Sequence, residues 1–410
     1  MNHYMAILMA LLFYSTLSFA QTPDDYFRTA AENNPGLLAI YNEYEAALQK
    51  VPQVNALPDP VFSFGYFISP VETRVGPQQA KFSLTQMFPW FGALKAQGDA
   101  AALMAEAKFQ SFIDARNKLY FRVASAYYPL YELKDWIRVE QENINILESY
   151  KNIATRKFEN GSGTMVDVLR VDIMLKDAQM NLSILQDKMK PLLTAFNKLL
   201  NRPENEKVII GDSLKVEILS DNFRKDSLIA VNPELRALEL KLQASKVTEL
   251  VARKQGLPKL GAGLDYVVVG ERTDLSLPDN GKDVLMPMVS ISIPIFRDKY
   301  NASVKEAQNM QESYINQKQE LENSLISEYE MVWFEIQQQQ QLLSLYEQQI
   351  QTSQQSLNLL FTSYENSGKE FEEVLRMQLQ LLKYKKMKAA ALTQYQIAVA
   401  KINYLTSKTY

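Results

Sequence analysis

The side chains that could do covalent chemistry are almost absent from this sequence. Cysteine does not occur, and the only histidine is His3, so the chain from residue 21 onward has no thiol nucleophile and no imidazole base. A phosphate loop is hinted at by Ser367-Gly368-Lys369, but position 363 is serine where that motif requires glycine. Asp and Glu remain as possible catalytic groups, but no two of them combine a short spacing in the sequence with a pattern typical of a pocket. The sequence therefore predicts no catalytic residues, no cofactor and no metal site.

The most noticeable acidic residues follow two short polar segments, each of which interrupts a helical pattern. The sequences around these two segments resemble each other. The two stretches share a constant offset of 206 residues: Phe158-Glu159-Asn160 with Val168-Leu169-Arg170, and Tyr364-Glu365-Asn366 with Val374-Leu375-Arg376. At this offset Asp167 matches Glu373, which has Glu370 and Glu372 beside it. Acidic residues at these positions favour the start of a helix through its dipole, which is one explanation of the pattern.

Further matches show that the resemblance covers most of the chain. They are Asn34-Pro35 with Asn232-Pro233, Leu57-Pro58 with Leu257-Pro258, and Pro89 and Phe91 with Pro294 and Phe296. A repeat of this size predicts that each element of one copy reappears in the other. We place the first structural repeat at 21–202, a polar connector at 203–226 and the second repeat at 227–410.

The first twenty residues have the pattern of a secretory signal peptide. A mostly apolar run of thirteen residues from Met5 to Leu17 is too short to span a bilayer, and Ser18-Phe19-Ala20 offers small residues for cleavage. An uncleaved anchor is the alternative. After residue 20 no stretch of eighteen apolar residues occurs, and a net charge of -3 gives no support for nucleic-acid binding.

Each repeat contains two stretches in which apolar and small or polar residues alternate. We predict strands at about 60–68 and 79–88, and again at about 258–269 and 286–295, because a period of two is typical of strands. Each is close to the ten residues that a tilted strand needs to cross a bilayer. The small or polar face carries the candidate lumen residues Lys81, Ser83, Thr85, Asp265, Ser290 and Ser292.

Long helical patterns fill the rest of each repeat. Asn34 and Asn232 are good helix caps, and each is followed by a proline suited to the first helical position. Helices are predicted at about 35–56 and 233–255, and very long ones at 92–158 and 297–366, each about 100 Å at 1.5 Å per residue. Final helices are predicted at 164–201 and 369–408. The polar breaks become hairpin tips at about 158–165 and 364–371.

Four strands of this kind require partners. In lipid, an open sheet leaves unpaired backbone groups at two edges, and each costs several kcal/mol. Eight strands make the smallest usual membrane barrel, so several chains must pool their strands. Two chains supply eight strands and three supply twelve, and the residues alone do not choose between them.

The repeated helices and strands follow one another as they do in the TolC-like outer-membrane efflux protein family. The chain resembles this family over nearly its whole length after residue 20. The matching residues are the Asn-Pro helix starts, the Leu-Pro strand starts, Pro89 and Pro294, and Gly163-Thr164 with Val166-Asp167-Val168-Leu169. The resemblance implies a mainly helical homotrimer with a twelve-stranded β-barrel in the Gram-negative outer membrane and a twelve-helix α-barrel in the periplasm. It also implies an efflux or secretion duct that works with a periplasmic adaptor (membrane fusion) protein and an inner-membrane pump, of the resistance-nodulation-division type.

The resemblance also assigns roles at the hairpin tips. It implies a periplasmic aperture lined by acids, for which the candidates are Asp167, Glu370, Glu372 and Glu373. Three copies of each carboxylate in a narrow ring would focus a negative potential and favour cations. The candidate residues for adaptor docking are Asn160, Gly161, Gly163, Thr164, Asn366 and Gly368. Lys369-Glu370 stands at the second tip where the family has Gly-Thr. The resemblance therefore does not determine which residues make the contacts that close the aperture.

Two other classes of protein are alternatives to an outer-membrane channel. A soluble periplasmic coiled-coil or adaptor protein would explain the helices and the signal peptide, but it does not explain four strands of membrane-crossing length. An enzyme would need a constellation that this sequence lacks. The sequence does not identify the exported substrate, the pump or the adaptor.

Overall fold

The computed structural model describes residues 23–211, 214–216, 219–274, 276–367 and 371–408. The predicted signal peptide lies outside the described residues. Two compact units divide the chain. The first comprises Met1–Ala39, Asp114–Asn232 and Ser324–Tyr410, and the second comprises Ile40–Ile113 and Pro233–Asn323.

The element order is the same in both halves of the chain: helix, strand, strand, long helix, helix. In chain order the elements are α1 (Pro23–Asn33), α2 (Pro35–Asn55), β1 (Val61–Thr73), β2 (Gly76–Phe88), α3 (Ala93–Glu159), α4 (Met165–Leu199), α5 (Ser227–Ala230), α6 (Pro233–Gln255), β3 (Lys259–Val269), β4 (Val284–Ser292), α7 (Asp298–Ser367) and α8 (Phe371–Leu405). The predicted internal repeat of the fold is thus confirmed. None of the helices in the described residues carries an apolar stretch long enough to cross a lipid bilayer.

The second unit contains one antiparallel sheet with the strand order β1-β2-β3-β4. The register places Ser83 opposite both Ser63 and Asp265, and Phe82 opposite both Phe64 and Tyr266. Because side chains alternate along a strand, one face of the sheet is apolar and the other carries small and polar groups. The outer strands, β1 and β4, each pair on one side within the chain.

The apolar face of this sheet is exposed. Ile68 and Val289 are 91% and 87% exposed, and other large side chains on the strands are also exposed: Phe62, Phe64, Tyr66, Leu84, Leu264 and Ile291. A folded chain does not normally leave so much contiguous apolar surface in water. The face is therefore suited to contact with another apolar phase.

The strand ends differ from the predicted ones. β1 and β2 reach Thr73 and Gly76, beyond the predicted ends at 68 and 79, because a tight turn joins them in which Thr73 Oγ1 donates to the Gly76 carbonyl at 2.6 Å. β4 stops at Ser292, short of the predicted 295, because Ser292 pairs with Lys259, the first residue of β3. Beyond that pair the ladder has no partner strand, although the apolar alternation continues.

The core of the first unit forms between the ends of the helices that meet at the hairpin tips. Its cluster of buried residues combines side chains of α3, α4, α7 and α8, among them Leu147, Val171, Tyr364, Phe371 and Val374. The rings of Tyr150 and Phe361 stack with centroids 5.1 Å apart, and those of Tyr364 and Phe371 stack at 4.3 Å. Aromatic pairs of this kind stabilise the packing of the helix ends next to both tips.

Candidate functional site

The first hairpin tip is closed by a glycine turn. Gly161 has φ +71 and Ser162 N donates to the Lys157 carbonyl at 2.8 Å, while Gly161 N donates to the Phe158 carbonyl at 3.0 Å. These bonds form the Schellman motif that ends α3, in which a left-handed residue follows the helix. Asn160 is exposed in the same turn. The tip is thereby a short, defined surface rather than a loose loop.

The residues after the turn start the next helix. Thr164 is the N-cap of α4: its Oγ1 accepts from Asp167 N at 3.2 Å and donates to Asp167 Oδ2 at 2.8 Å. This reciprocal pairing is a capping arrangement that stabilises a helix start. Gly163 is required by space, because a Cβ there would lie 2.9 Å from Lys157 Cβ. Asp167 therefore has a structural role, whatever else its charge does.

Direct contacts join the two tips. Lys157 Nζ donates to the Glu365 carbonyl at 2.9 Å and lies 5.2 Å from the ring centroid of Tyr364. Arg170 Nη1 lies 2.9 Å from Glu372 Oε2. Both bridges run from the first hairpin to the second within one chain. They tie the tips together at the level of the predicted aperture.

The candidate acids do not all present free charge. Glu372 is paired with Arg170, and Glu373 is paired with Arg376 three residues along α8. Asp167 is hydrogen bonded to Thr164, and its nearest described partner is not a cation. Glu370 and Gly368 lie outside the described residues, and Asn366 is exposed near the end of α7. Among the described aperture candidates, Asp167 is thus the acid that is not paired with a cation.

Two titratable groups behind the tip have shifted pKa values. Burial raises the pKa of Tyr364 to about 12, and the charge of Asp167 acts in the same direction. About two helical turns into α4, hydrogen bonds from Lys151 and Lys176 hold the pKa of Asp172 at about 2. Tyr364 remains a neutral phenol and Asp172 remains an anion over the whole physiological range. Neither group titrates as a switch near neutral pH.

The six candidate lumen residues lie on one face of the sheet in the second unit. Ser83 is opposite Asp265, and Asp265 forms an ion pair with Lys81 on the neighbouring strand. Asp265 is 0% exposed, whereas the Lys81 side chain is 40% exposed. Thr85, Ser290 and Ser292 share this face, and Ser290 lies 3.9 Å from the sulfur of Met87. The face is polar, but its carboxylate is covered by neighbouring side chains and neutralised.

Sequence reasoning found the acids of the tip but missed the groups that pair with them. In the sequence, Arg170 and Arg376 stand out only as the last residues of the repeated Val-Leu-Arg stretches, and no pattern predicts the contacts of Lys157 with Tyr364 and Glu365. A signal was available for one of these contacts, since Arg170 and Glu372 have opposite charge and lie at nearby positions of the two tips. Within the described residues no group of three or more acidic side chains is arranged to hold a metal ion.

Comparison with known proteins identifies the fold and the family. The outer membrane efflux protein family model matches residues 27–202 and 226–407. In the crystal structure of the outer membrane protein VceC from Vibrio cholerae, 96% of that chain and 94% of this one superpose with a TM-score of 0.76 at 15% sequence identity. This likeness concerns the fold alone.

Two curated proteins are similar in sequence. The pyoverdine export outer membrane protein OpmQ of Pseudomonas putida is 22% identical over 190 residues, 46% of this chain and 40% of the relative. The alkaline protease secretion protein AprF of Pseudomonas aeruginosa is 24% identical over 259 residues, 58% of this chain and 53% of the relative. The chain spans about half the length of these relatives.

Repeated helix–strand–strand–helix–helix units with an exposed apolar sheet are the architecture of a class of outer-membrane proteins. The chain belongs to the outer membrane efflux protein family. The family resemblance predicted from the sequence is confirmed. Family membership indicates the outer membrane of a Gram-negative bacterium.

Proposed function

We propose that this chain is the outer-membrane exit duct of a tripartite efflux or secretion system. In this role it passes substrate from an inner-membrane pump and a periplasmic adaptor protein to the outside. The observation that carries the proposal is the four-stranded sheet, whose apolar face is exposed and whose outer strands each pair on one side. Such a sheet requires lipid on that face and other strands at its edges. The names of OpmQ and AprF, which describe export and secretion, support the same role.

Three copies complete the duct in this proposal. Twelve strands from a homotrimer close a β-barrel without edges, and the long helices pack side by side as a twelve-helix barrel in the periplasm. The small and polar face of the sheet then faces the lumen, and the apolar face contacts outer-membrane lipid. The pump is proposed to be of the resistance-nodulation-division type, on the family resemblance alone.

The hairpin tips form the periplasmic end of the duct in this proposal. Asp167, with Glu370, Glu372 and Glu373, surrounds the aperture, and Asn160, Gly161, Gly163, Thr164, Asn366 and Gly368 form the adaptor-docking surface. Support comes from the exposed glycine turn, which presents backbone groups at the very end of a hairpin. The bridges from Lys157 and Arg170 hold the aperture closed until the tips separate.

Single-channel recording tests the aperture. We expect Asp167→Asn to lower the preference for cations roughly two-fold, since three unpaired carboxylates lose their charge from a narrow ring. Asparagine retains a side-chain oxygen for Thr164, so the cap is preserved. Asp177→Asn on the exposed surface of α4 removes the same charge ten residues away and should leave ion selectivity unchanged. Unchanged selectivity in Asp167→Asn rejects the aperture role.

Fractionation tests the duct itself. The proposed protein requires detergent for extraction and purifies as a trimer, because its sheet face and edges are unsatisfied in water. A water-soluble monomer that is stable without any amphiphile would contradict the proposal and favour the soluble adaptor class.

A further inference from the structure

The polar face of the sheet, which carries the small and polar side chains, has few charged residues. The charged residues of the four strands are Glu72, Lys81, Lys259 and Asp265. Glu72 lies beside the β1–β2 turn, beyond the shift in register that follows Tyr66. Lys81 lies two residues from Ser83 on β2, and Ser83 is opposite Asp265. Because Lys259 and Asp265 are an even number of residues apart on β3, the polar face carries two lysines and one aspartate.

The carboxylate on this face is hidden, whereas its ammonium partner is not. Asp265 is 0% exposed and forms an ion pair with Lys81, whose side chain is 40% exposed. On β1 the residue opposite Lys81 is Gly65, which has no side chain to cover the ammonium group. Further chains in an assembly can only cover Asp265 more. A solute that passes over this pair therefore meets the ammonium group rather than the carboxylate.

A second lysine lies on the same face, at the other end of β3. Lys259 is opposite Ser292, is exposed, and forms no ion pair with any residue that the structure describes. Lys81 is opposite Val267, eight residues further along β3. At 3.4 Å per residue, the two lysines are about 27 Å apart along the sheet. The polar face thus presents positive charge at two levels.

Stability alone does not account for these charges. A buried carboxylate loses its hydration on folding, and its attraction to an ammonium group often only offsets that loss, so uncharged residues can replace such a pair. Lys259 has no counter-charge among the described residues. Other positions of the face, such as Ser63 and Ser290, pair in the same ladders with uncharged neighbours. The lysines are therefore better explained by what passes over the face than by the folding of the sheet.

In the proposed trimer these charges lie close to the path of the solute. Twelve strands about 4.8 Å apart and tilted by about 40° enclose a barrel with a backbone radius of roughly 12 Å. Because side chains narrow this space, a solute on the axis passes each ammonium group within about one Debye length, about 8 Å at physiological ionic strength. Rings of lysine or arginine are typical of pores that favour anions.

We propose that Lys81 and Lys259 make the barrel section of the duct favour anionic solutes, those that carry carboxylate or phosphate groups. Each of the three copies supplies two ammonium groups, and Asp265 provides a counter-charge that the solute does not meet. The inference rests on the duct proposed above and on the placement of the polar face toward its lumen. The barrel section then has the opposite sign to the acidic aperture at the hairpin tips.

Reversal potentials of single channels under a gradient of KCl test this inference. One test variant is Lys259→Gln, which removes an unpaired charge. The other combines Lys81→Gln with Asp265→Asn, which keeps the net charge of the pair at zero and leaves two side chains that can still hydrogen bond. This double variant removes the exposed ammonium group together with its hidden partner. The matched control is Lys207→Gln, which removes one positive charge from an exposed residue of the connector between the repeats.

We expect the ratio of chloride to potassium permeability to fall about two-fold in both test variants and to keep the wild-type value in the control. A double variant that equals the wild type overturns the role of Lys81, because net charge alone would then decide selectivity. An unchanged ratio in Lys259→Gln overturns the role of Lys259. A fall of the same size in Lys207→Gln overturns the whole inference, since total charge rather than its position would explain the result.

Block of the current by a carboxylate-bearing solute tests the class of solute. Citrate should block the wild-type channel at a concentration about three-fold lower than it blocks the double variant, because its carboxylates contact the ammonium groups. Glucose, a neutral molecule of similar size, should affect the two channels equally. Equal block by citrate in the two channels overturns the proposed contact of Lys81 with anionic solutes.

The same recordings separate this inference from the function on which it rests. A wild-type protein that conducts ions, with test variants that share its selectivity, overturns the anion-favouring barrel section and leaves the duct intact. A protein that forms no channel in a planar bilayer contradicts the duct itself, and this inference with it.

Discussion

Glu140 is a charged residue that the helical core retains in spite of the cost of burial. It is 1% exposed on α3 and forms an ion pair with Lys386 of α8. Asn143 Nδ2 donates to Glu140 Oε1 at 3.3 Å, and Gln378 Nε2 donates to Asn143 Oδ1 at 3.0 Å. A buried carboxylate is tolerated when it is paired and hydrogen bonded, and becomes destabilising when its partner is removed. The pair therefore fixes how α3 and α8 meet in the first unit.

Lys386→Met should lower the free energy of unfolding by about 3 kcal/mol, because it leaves Glu140 buried without a counter-charge. Adding Glu140→Gln should recover part of this loss. Lys176→Met is the control, since it breaks an ion pair with Asp172 in which the Lys176 side chain is 73% exposed, and such surface pairs contribute about 1 kcal/mol or less. Thermal unfolding in detergent measures both. Equal destabilisation by the two methionine variants would show that the buried pair contributes no more to the free energy of unfolding than the exposed pair.

The pH dependence of stability has a predictable contribution from Asp172. Hydrogen bonds from Lys151 and Lys176 lower its pKa to about 2, below the usual value for aspartate of about 3.9. A carboxyl whose folded pKa is lowered adds stability above its unfolded pKa, and this stability is lost as the pH falls through the folded pKa. The contribution of Asp172 is therefore complete at neutral pH and disappears between about pH 4 and pH 2.

Asp172→Asn should consequently lower the unfolding temperature at pH 6, and the difference from the wild type should shrink as the pH falls toward 2. Asp177→Asn, on the exposed side of the same helix, should show a small difference that does not depend on pH in this way. The measurement is a series of thermal unfolding curves for the three proteins. A difference that stays constant from pH 6 to pH 2.5 contradicts the ion-pair assignment.

At the scale of elements, the first hairpin tip depends on a single backbone conformation. Gly161 has φ +71, and a Cβ there would meet nothing within 4 Å, so the only cost of a side chain is the strain of the left-handed region. That strain is about 1 kcal/mol for alanine and smaller for asparagine, which tolerates the conformation. Gly161→Ala should lower stability by about 1 kcal/mol, and Gly161→Asn by less. Unfolding curves check the order, and a reversed order would contradict the left-handed geometry.

The two Gly161 variants should differ in stability, but both should bind the adaptor more weakly than the wild type. Both substitutions at Gly161 add a side chain to the proposed docking surface, and both should weaken adaptor pull-down from crosslinked cells. Asn160→Ala, which leaves the backbone turn unchanged, is the companion variant. Normal adaptor capture by all three proteins would remove this turn from the docking surface.

Elements were predicted well from the sequence where the chain repeats its own signals. Proline and asparagine marked the helix starts near Pro35 and Pro233, and period-two alternation located all four strands. The ends were less predictable, because pairing rather than propensity decides them: β4 stops at Ser292, which pairs with Lys259, the first residue of β3. The burial of Asp265 depends on side chains of other strands, which no local pattern records. The ion pair of Arg170 with Glu372 could be inferred only by comparing the charges of the two tips.

At the scale of the whole molecule, the proposed assembly depends on the two outer strands. Within one chain β1 and β4 are separated by two strands, a distance of about 14 Å at 4.8 Å per strand. A disulfide needs Cα atoms within about 7 Å, so cysteines placed on β1 and β4 cannot join within one sheet. If neighbouring copies complete a barrel, the β1 of one copy lies beside the β4 of the next, and the same two positions come into reach.

The absence of natural cysteine makes this test specific. We expect Ser63→Cys combined with Ser290→Cys or Ser292→Cys, all on the polar face, to form disulfide-linked dimers and trimers under oxidising conditions in outer membranes. Each single variant should stay monomeric on a non-reducing gel, because identical positions on neighbouring copies are far apart in a closed ring. Ser63→Cys with Thr85→Cys, which lie on paired strands of one chain, should yield no intermolecular species. If no combination of β1 and β4 cysteines links copies while the protein still conducts, the strands are not pooled in the proposed order, and the duct must be closed by another arrangement.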